Sequence, residues 1–260
     1  MIVDMHNHTP LCNHAEGTIQ EYVLSAIEAK TKFFGFSDHA PMDYDPKYRM
    51  KFQEMQKYEK DVLNAQEKYK SEIQILLAYE VDYLPGHMDK RVLNADVDYL
   101  IGSVHFIEGW GFDNPEFIGK WEEQNIDEIW QKYFKTIEDM AKTKLFDIVG
   151  HLDLIKVFKF MPKSDIVKMA TPALNAIKKA GMVLELNVAG YRKKVAEPYP
   201  SKALLQKAYD LEIPITFSSD AHAPEQIAMY NDEIICLAKE VGYTQCSYFI
   251  KRKEHIINFS

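Results

Sequence analysis

The chain has 260 residues, 47% hydrophobic and 27% charged, a balance that suits one barrel-sized domain and excludes a disordered or collagen-like chain. Its 31 Lys and Arg against 39 Asp and Glu leave a net charge of −8, which weighs against a broad nucleic-acid-binding face. Three cysteines without a CxxC pair describe no disulfide framework. With no apolar run long enough for a membrane span and no signal-peptide pattern in MIVDMHNH, a cytoplasmic location is expected.

Short apolar runs recur along the chain, each ending abruptly in polar residues. The first is IVDMHNH (2–8). A helix is predicted over 18–31, opened by Thr18 and Glu21 at the spacing of a capping box, and KFFGFSDH (32–39) follows it. A long amphipathic stretch (49–70) leads to IQILLAYEVD (73–82), and DYLIGSVHF (98–106) comes next. The connection 106–124 is long, as functional loops often are. Ile126, Ile129, Trp130, Phe134 and Ile137 form one stripe of a helix over 125–142, before FDIVGH (146–151). A helix over 164–179 should kink or restart at Pro172; GMVLELN (181–187), a helix over 201–211, PITFSSDAH (214–222) and a helix over 224–240 complete the series. Strands alternating with helices predict a parallel sheet. Polar residues end every run rather than gathering at one switch point. That favours a closed α/β barrel of about seven units over a doubly wound open sheet, in a single domain over 1–260.

Seven of the nine histidines lie at or just past these run ends: His6, His8, His14, His39, His105, His151 and His222, joined by Glu80 and Asp220. One histidine at a strand end is ordinarily a polar rim residue, but a rim does not predict this joint placement. His6 and His8 are two apart, so on a strand both point to one side. Asp220 and His222 repeat that relation on the last run, and in a closed barrel the first and last strands are neighbours. Neutral imidazole and carboxylate suit zinc, iron or manganese. The set is too large for one ion, so two or three divalent metal ions bridged by a carboxylate are expected at the C-terminal ends of the strands. His87 and His255 lie away from run ends and read as surface residues, and Cys12 reads as a packing residue.

The motifs DMHNHT with His14, SDH (37–39), the Glu80 run, SVHF (103–106), GH (150–151) and SSDAH (218–222) together resemble those of the polymerase and histidinol phosphatase (PHP) superfamily, over residues 4–222. Within it, GFSDHAP, GSVHFI and ELNVAGYRK are similar to the bacterial histidinol-phosphate phosphatase branch, with Val188 and Tyr191 departing from its usual segment. The resemblance implies a distorted (β/α)7 barrel carrying a trinuclear site. His6, His8, Glu80 and Asp220 would hold one ion, Glu80 with His105 and His151 a second, and His14, His39 and His222 a third. It further implies hydrolysis of a small phosphorylated metabolite, L-histidinol phosphate, in histidine biosynthesis, with no nucleic-acid or membrane partner. A PHP-type nuclease or nucleotide phosphatase is the alternative, which the net charge disfavours.

Uncatalysed monoester hydrolysis is so slow that a catalyst must remove on the order of 20 kcal/mol of barrier. A hydroxide between two ions would attack phosphorus while the ions neutralise phosphoryl oxygens. The alkoxide leaving group also calls for an acid. Asp38, beside His39, is a candidate for that role, or else it orients a ligand. Arg192, beyond the sixth run, is expected to grip phosphate with its planar fork, and Lys156 to add a second cation. Trp110, Phe112 and Phe117 are candidates to wall an imidazole pocket or to pack down on the barrel. Glu108 or Asp113 could meet the substrate ammonium.

Overall fold

The computed structural model describes residues 1–259. In chain order its strands are β1 (Val3–Asp4), β2 (Phe33–His39), β3 (Gln74–Asp82), β4 (Tyr99–Ser103), β5 (Phe106–Ile107), β6 (Trp110–Gly111), β7 (Ile148–Val149), β8 (Val183–Asn187), β9 (Ile215–Ser218), β10 (Gln245–Ile250) and β11 (Lys253–Asn258). The helices are α1 (Ile19–Glu28), α2 (Met55–Tyr69), α3 (Lys90–Leu93), α4 (Ile126–Thr143), α5 (Ile166–Ala180), α6 (Lys202–Asp210) and α7 (Asn231–Val241). Each apolar run of the sequence supplies one strand of a seven-stranded parallel sheet, in the order β1-β2-β3-β4-β7-β8-β9. The ends meet: Met5 N donates to Phe217 O at 3.0 Å, and His8 N to Ala221 O at 2.9 Å. The result is a nearly closed barrel with helices around it. Strand β3 is buried from Ile75 to Asp82, as a strand covered on both faces must be. Inside, the Tyr99 hydroxyl crosses to Met5 O at 2.5 Å. Gly35 makes room for it, since a Cβ there would collide with that oxygen.

Helix α1 begins as the capping box foretells, Thr18 and Glu21 satisfying each other's backbone. Helix α4 buries Ile129, Trp130, Phe134 and Ile137 on the expected stripe. Helix α5 does not restart at Pro172 but runs on through it. An interior proline costs about 3 kcal/mol. Burial of Ala170, Ala173, Leu174 and Ile177 offsets that cost, at roughly 1.5–3 kcal/mol per large apolar side chain. Helix α7 starts later than the pattern suggested, since Tyr230 takes a left-handed φ of 63° just before it.

The connection 106–124 forms the β5–β6 hairpin and a 3-10 run from Pro115 to Glu123. Its Phe112 is wholly buried, edge-on to Tyr133 at 5.3 Å, so it belongs to the core and walls no pocket. The β10–β11 hairpin, which no sequence pattern announced, covers the N-terminal end of the barrel. Tyr248 stacks on Phe33 at 3.7 Å, and Arg252 N donates to Asp98 O just before β4. Among the described residues no helix is long and apolar enough to cross a membrane.

Candidate metal centre

The parallel barrel brings all nine expected ligands to one end. Ligand atoms of eight of them fall into three groups, each within 4.8 Å: His6, His8 and Glu80; Glu80, His105 and His151; and His14, His39 and His222; Asp220 stands beside the first. The first group is fully buried, the second mostly so, and the third lies toward the rim. Glu80, near the end of β3, joins the first two. Its Oε2 lies 3.3 Å from His6 Nε2 and 2.8 Å from His39 Nδ1, and its Oε1 lies 3.0 Å from His151 Nε2 and 3.8 Å from His105 Nε2. Asp220 Oδ1 sits 3.2 Å from His8 Nε2. The Asp220 backbone takes a left-handed φ of 47°, a strained conformation of the kind that functional sites retain.

Burial opposes charge on Glu80, yet the facing His6, His39 and His105 hold its carboxyl well below the ordinary range. Burial pushes His39 down to about 4 despite Glu80, and burial with His8 pushes His222 well below its usual value. These two imidazoles are therefore in the neutral form that coordinates metal. Against its own burial, His105 is drawn up to about 10 by Asp82 and Glu80. A cation binding there must displace that proton, so uptake is favoured at higher pH.

His6 Nε2 and His151 Nδ1 are buried without a hydrogen-bond partner. Such orphaned atoms are costly in a protein interior, and coordination of divalent cations would satisfy them. The residues therefore fit a metal centre. Cys12 Sγ lies within 4.8 Å of ligand atoms of His8 and His222, but burial pushes its thiol well up, which favours the neutral packing form.

Three carboxylates behind the ligands were not singled out from the sequence. Glu185 on β8 lies 2.6 Å from His6 Nδ1 and accepts from His151 N at 2.6 Å. Asp82 lies 2.6 Å from His105 Nδ1 and accepts from Arg49 Nη1 at 2.7 Å. Asp4 accepts from Ser219 N at 2.9 Å and Ser219 Oγ at 2.6 Å, tying β1 to the turn that presents Asp220. Partners of this kind fix the tautomer and direction of a ligand. Strand alternation could have found two of them, since Asp82 is two past Glu80 and Asp4 two before His6.

The structure places Asp38, offered as an acid or as a residue that orients a ligand, behind the ligands and away from the cavity wall. It is wholly buried, with Oδ1 3.4 Å from His8 Nδ1 and 2.8 Å from the donating His39 N, while Oδ2 accepts from the Thr9 hydroxyl. Adjacent strand positions face opposite sides, so Asp38 cannot share the inward face of His39. It lies off the cavity wall and holds His8, the alternative reading of its place.

A cavity of about 920 Å³ opens over the centre. Arg192 lines it as expected. Its Nη2 donates to Ser219 O at 2.8 Å and Asp220 O at 2.9 Å, while Nη1 is buried without a partner. Trp110, Phe117 and Asp113 line the same cavity. Glu108 points elsewhere, exposed and paired with Lys132 at 2.8 Å. His87 pairs with Asp43, and His255 lies exposed on β11, both far from the centre in role.

Lys156, expected as a second cation for the substrate, also lies away from the cavity. It is 1% exposed and off the cavity wall, with Nζ 3.0 Å from Asp153, 3.4 Å from Glu197 and 2.8 Å from Pro198 O. The 3-10 turn Leu154–Lys156 aims it under the segment 197–201, where its three donors are used. Lys156→Met should therefore destabilise the fold by about 3–5 kcal/mol, the cost of orphaning a buried charge. Turnover per folded molecule should stay close to wild type. Urea denaturation beside active-site-normalised kinetics checks this, and a raised KM at unchanged stability would restore a substrate role.

Comparison with known proteins agrees with this geometry. A curated relative from Deinococcus radiodurans, described as "Probable histidinol-phosphatase", is 37% identical over 246 residues, covering 93% of this chain and 94% of the relative. The histidinol-phosphatase of Bacillus subtilis is 28% identical over 251 residues, covering 84% and 92%. In fold, the chain is similar to a histidinol phosphate phosphatase from Lactococcus lactis solved with zinc, L-histidinol and phosphate. The TM-score is 0.80 at 20% identity, over 97% of this chain and 98% of that one. The PHP domain family model matches residues 4–189, the stretch that supplies seven of the nine clustered ligands. With motifs, barrel and clustered ligands in agreement, this chain belongs to the PHP family.

Proposed function

We infer that the protein is a metal-dependent phosphomonoesterase that hydrolyses L-histidinol phosphate to L-histidinol and phosphate, the dephosphorylation step of histidine biosynthesis. One observation carries this reading: three ligand groups, two of them sharing Glu80, floor a cavity whose wall includes Arg192. The kinship with histidinol-phosphatases directs the choice of ester. Three groups support three divalent ions, and their imidazole and carboxylate donors suit zinc, iron or manganese. When bound, such ions supply Lewis-acid neutralisation of phosphoryl oxygens and a water nucleophile active near neutral pH.

The chain's own residues do the rest. Glu80 bridges the first two ligand groups, and Glu185, Asp82 and Asp38 keep His6, His105 and His8 aimed inward. The unpartnered Nη1 of Arg192 is available to a phosphoryl oxygen, where a charge-assisted bond is strong. Trp110 and Phe117 offer apolar surface to the remainder of the substrate. Three unpaired cysteines suit the reducing cytoplasm that this role proposes.

The test is phosphate release by metal-analysed protein from L-histidinol phosphate, nucleoside monophosphates, p-nitrophenyl phosphate and a short oligonucleotide, each with and without chelator. The expected result is chelator-sensitive turnover with L-histidinol phosphate preferred by orders of magnitude in kcat/KM. Preference for a nucleotide or oligonucleotide would overturn the substrate and leave the metal centre standing.

A further inference from the structure

Five carboxylates line the cavity: Asp45, Glu80, Asp82, Asp113 and Asp220. Three are committed to the protein. Glu80 faces histidines, Asp82 takes Arg49 and His105, and Asp220 takes His8 and Asn187. Asp45 and Asp113 alone have side chains that receive no hydrogen bond from another described residue; the Asp113 carboxylate takes only its own backbone N–H. Asp45 stands at the rim, in a turn beside the exposed Pro46 and Lys47, where water can solvate it. Asp113 follows the buried Gly111 and Phe112 and lies between the cavity-lining Trp110 and Phe117. The charged groups that act on it are His105, Asp82 and His151 of the metal centre. Asp113 is half-buried, and a cavity-lining carboxylate with no partner from another residue is free to pair with a cationic group that a ligand brings.

We propose that Asp113 is a specificity-determining residue that receives the ammonium group of an amino-alcohol phosphate held at the metal centre. This rests on the phosphatase reading above and names what that site selects. In such an ester the ammonium sits two carbons from the ester oxygen, so its receptor must lie close to the ligand cluster. A ring one carbon further out then falls toward Trp110 and Phe117. Burial also raises the Asp113 carboxyl, as expected for a group whose counter-charge arrives only with the ligand.

The test compares wild type with Asp113→Asn on three esters. These are L-histidinol phosphate, 3-(imidazol-4-yl)propyl phosphate, which lacks only the ammonium, and p-nitrophenyl phosphate. Loss of one charge-assisted contact predicts a fall of about 100-fold in kcat/KM for L-histidinol phosphate, with the other two within about 3-fold of wild type. Asp113→Glu, which keeps the charge, should recover part of the preference for the ammonium ester. An equal fall on the des-amino ester would overturn the inference, assigning Asp113 instead to leaving-group protonation or to the fold. So would no fall at all. If wild type shows no preference for L-histidinol phosphate over p-nitrophenyl phosphate, the substrate reading itself fails, and that result is distinct from equal losses in the variant.

Discussion

Replacement of Glu80 by glutamine is expected to lower kcat by about 10³-fold or more, equivalent to roughly 4 kcal/mol of barrier, and to remove more than one equivalent of metal. The substitution preserves size and burial but removes the charge on which His6, His39, His105 and His151 converge. The first two ligand groups each lose their shared carboxylate, whereas the His14, His39 and His222 group contains no carboxylate to lose. Residual metal should therefore reside in the rim group. Glu185→Gln offers the contrast. It disturbs the direction of His6 but removes no proposed ligand, so about 10–100-fold in metal affinity is the expected scale. Elemental analysis of both variants after dialysis, beside kcat on L-histidinol phosphate, separates them. A Glu80→Gln protein with its full metal complement and wild-type kcat would rule out the bridging role.

The second large effect is expected at Arg192. The sequence alone predicts that Arg192→Ala raises KM and lowers kcat/KM without loss of metal. The structure enlarges that expectation, because Nη2 also holds the carbonyls of Ser219 and Asp220 where the backbone is strained. Alanine should cost about 10²–10³-fold in kcat/KM, chiefly through the lost charge-assisted phosphate contact of Nη1, and should loosen metal at the His6 and His8 group. Arg192→Lys restores the charge but not the fork, so it should retain metal better than it retains substrate affinity. Unchanged KM in both variants would remove Arg192 from phosphate recognition.

Much of this site was legible in the chain. Seven strand runs, the helix stripes and the ligand cluster follow from local period, because a strand's alternation and a helix's 3.6-residue repeat are written in neighbouring residues. The ligands could be read without knowing the packing, since a parallel barrel gathers every strand's C-terminal end at one mouth. The unbroken α5 and the β10–β11 hairpin were not legible. The first depends on how much partner surface the fold offers to Ala173, Leu174 and Ile177, while Pro172 itself stays exposed. The second depends on Phe33 and Asp98, which lie far away in sequence.

Roles one step from the ligands divide the same way. His39 and Asp38 are adjacent, and Lys156 and Arg192 are both cations placed just past a run end. Composition and position thus determined the barrel, its mouth and the residues able to hold metal. Only the tertiary structure decided that Asp38 stands behind His8, that Lys156 is bound to Asp153, and that Arg192 and Asp113 face the cavity. The reason is physical: a polar side chain beside a site turns toward whichever partners satisfy its charge and hydrogen bonds, and those partners come from distant segments that the fold alone brings near.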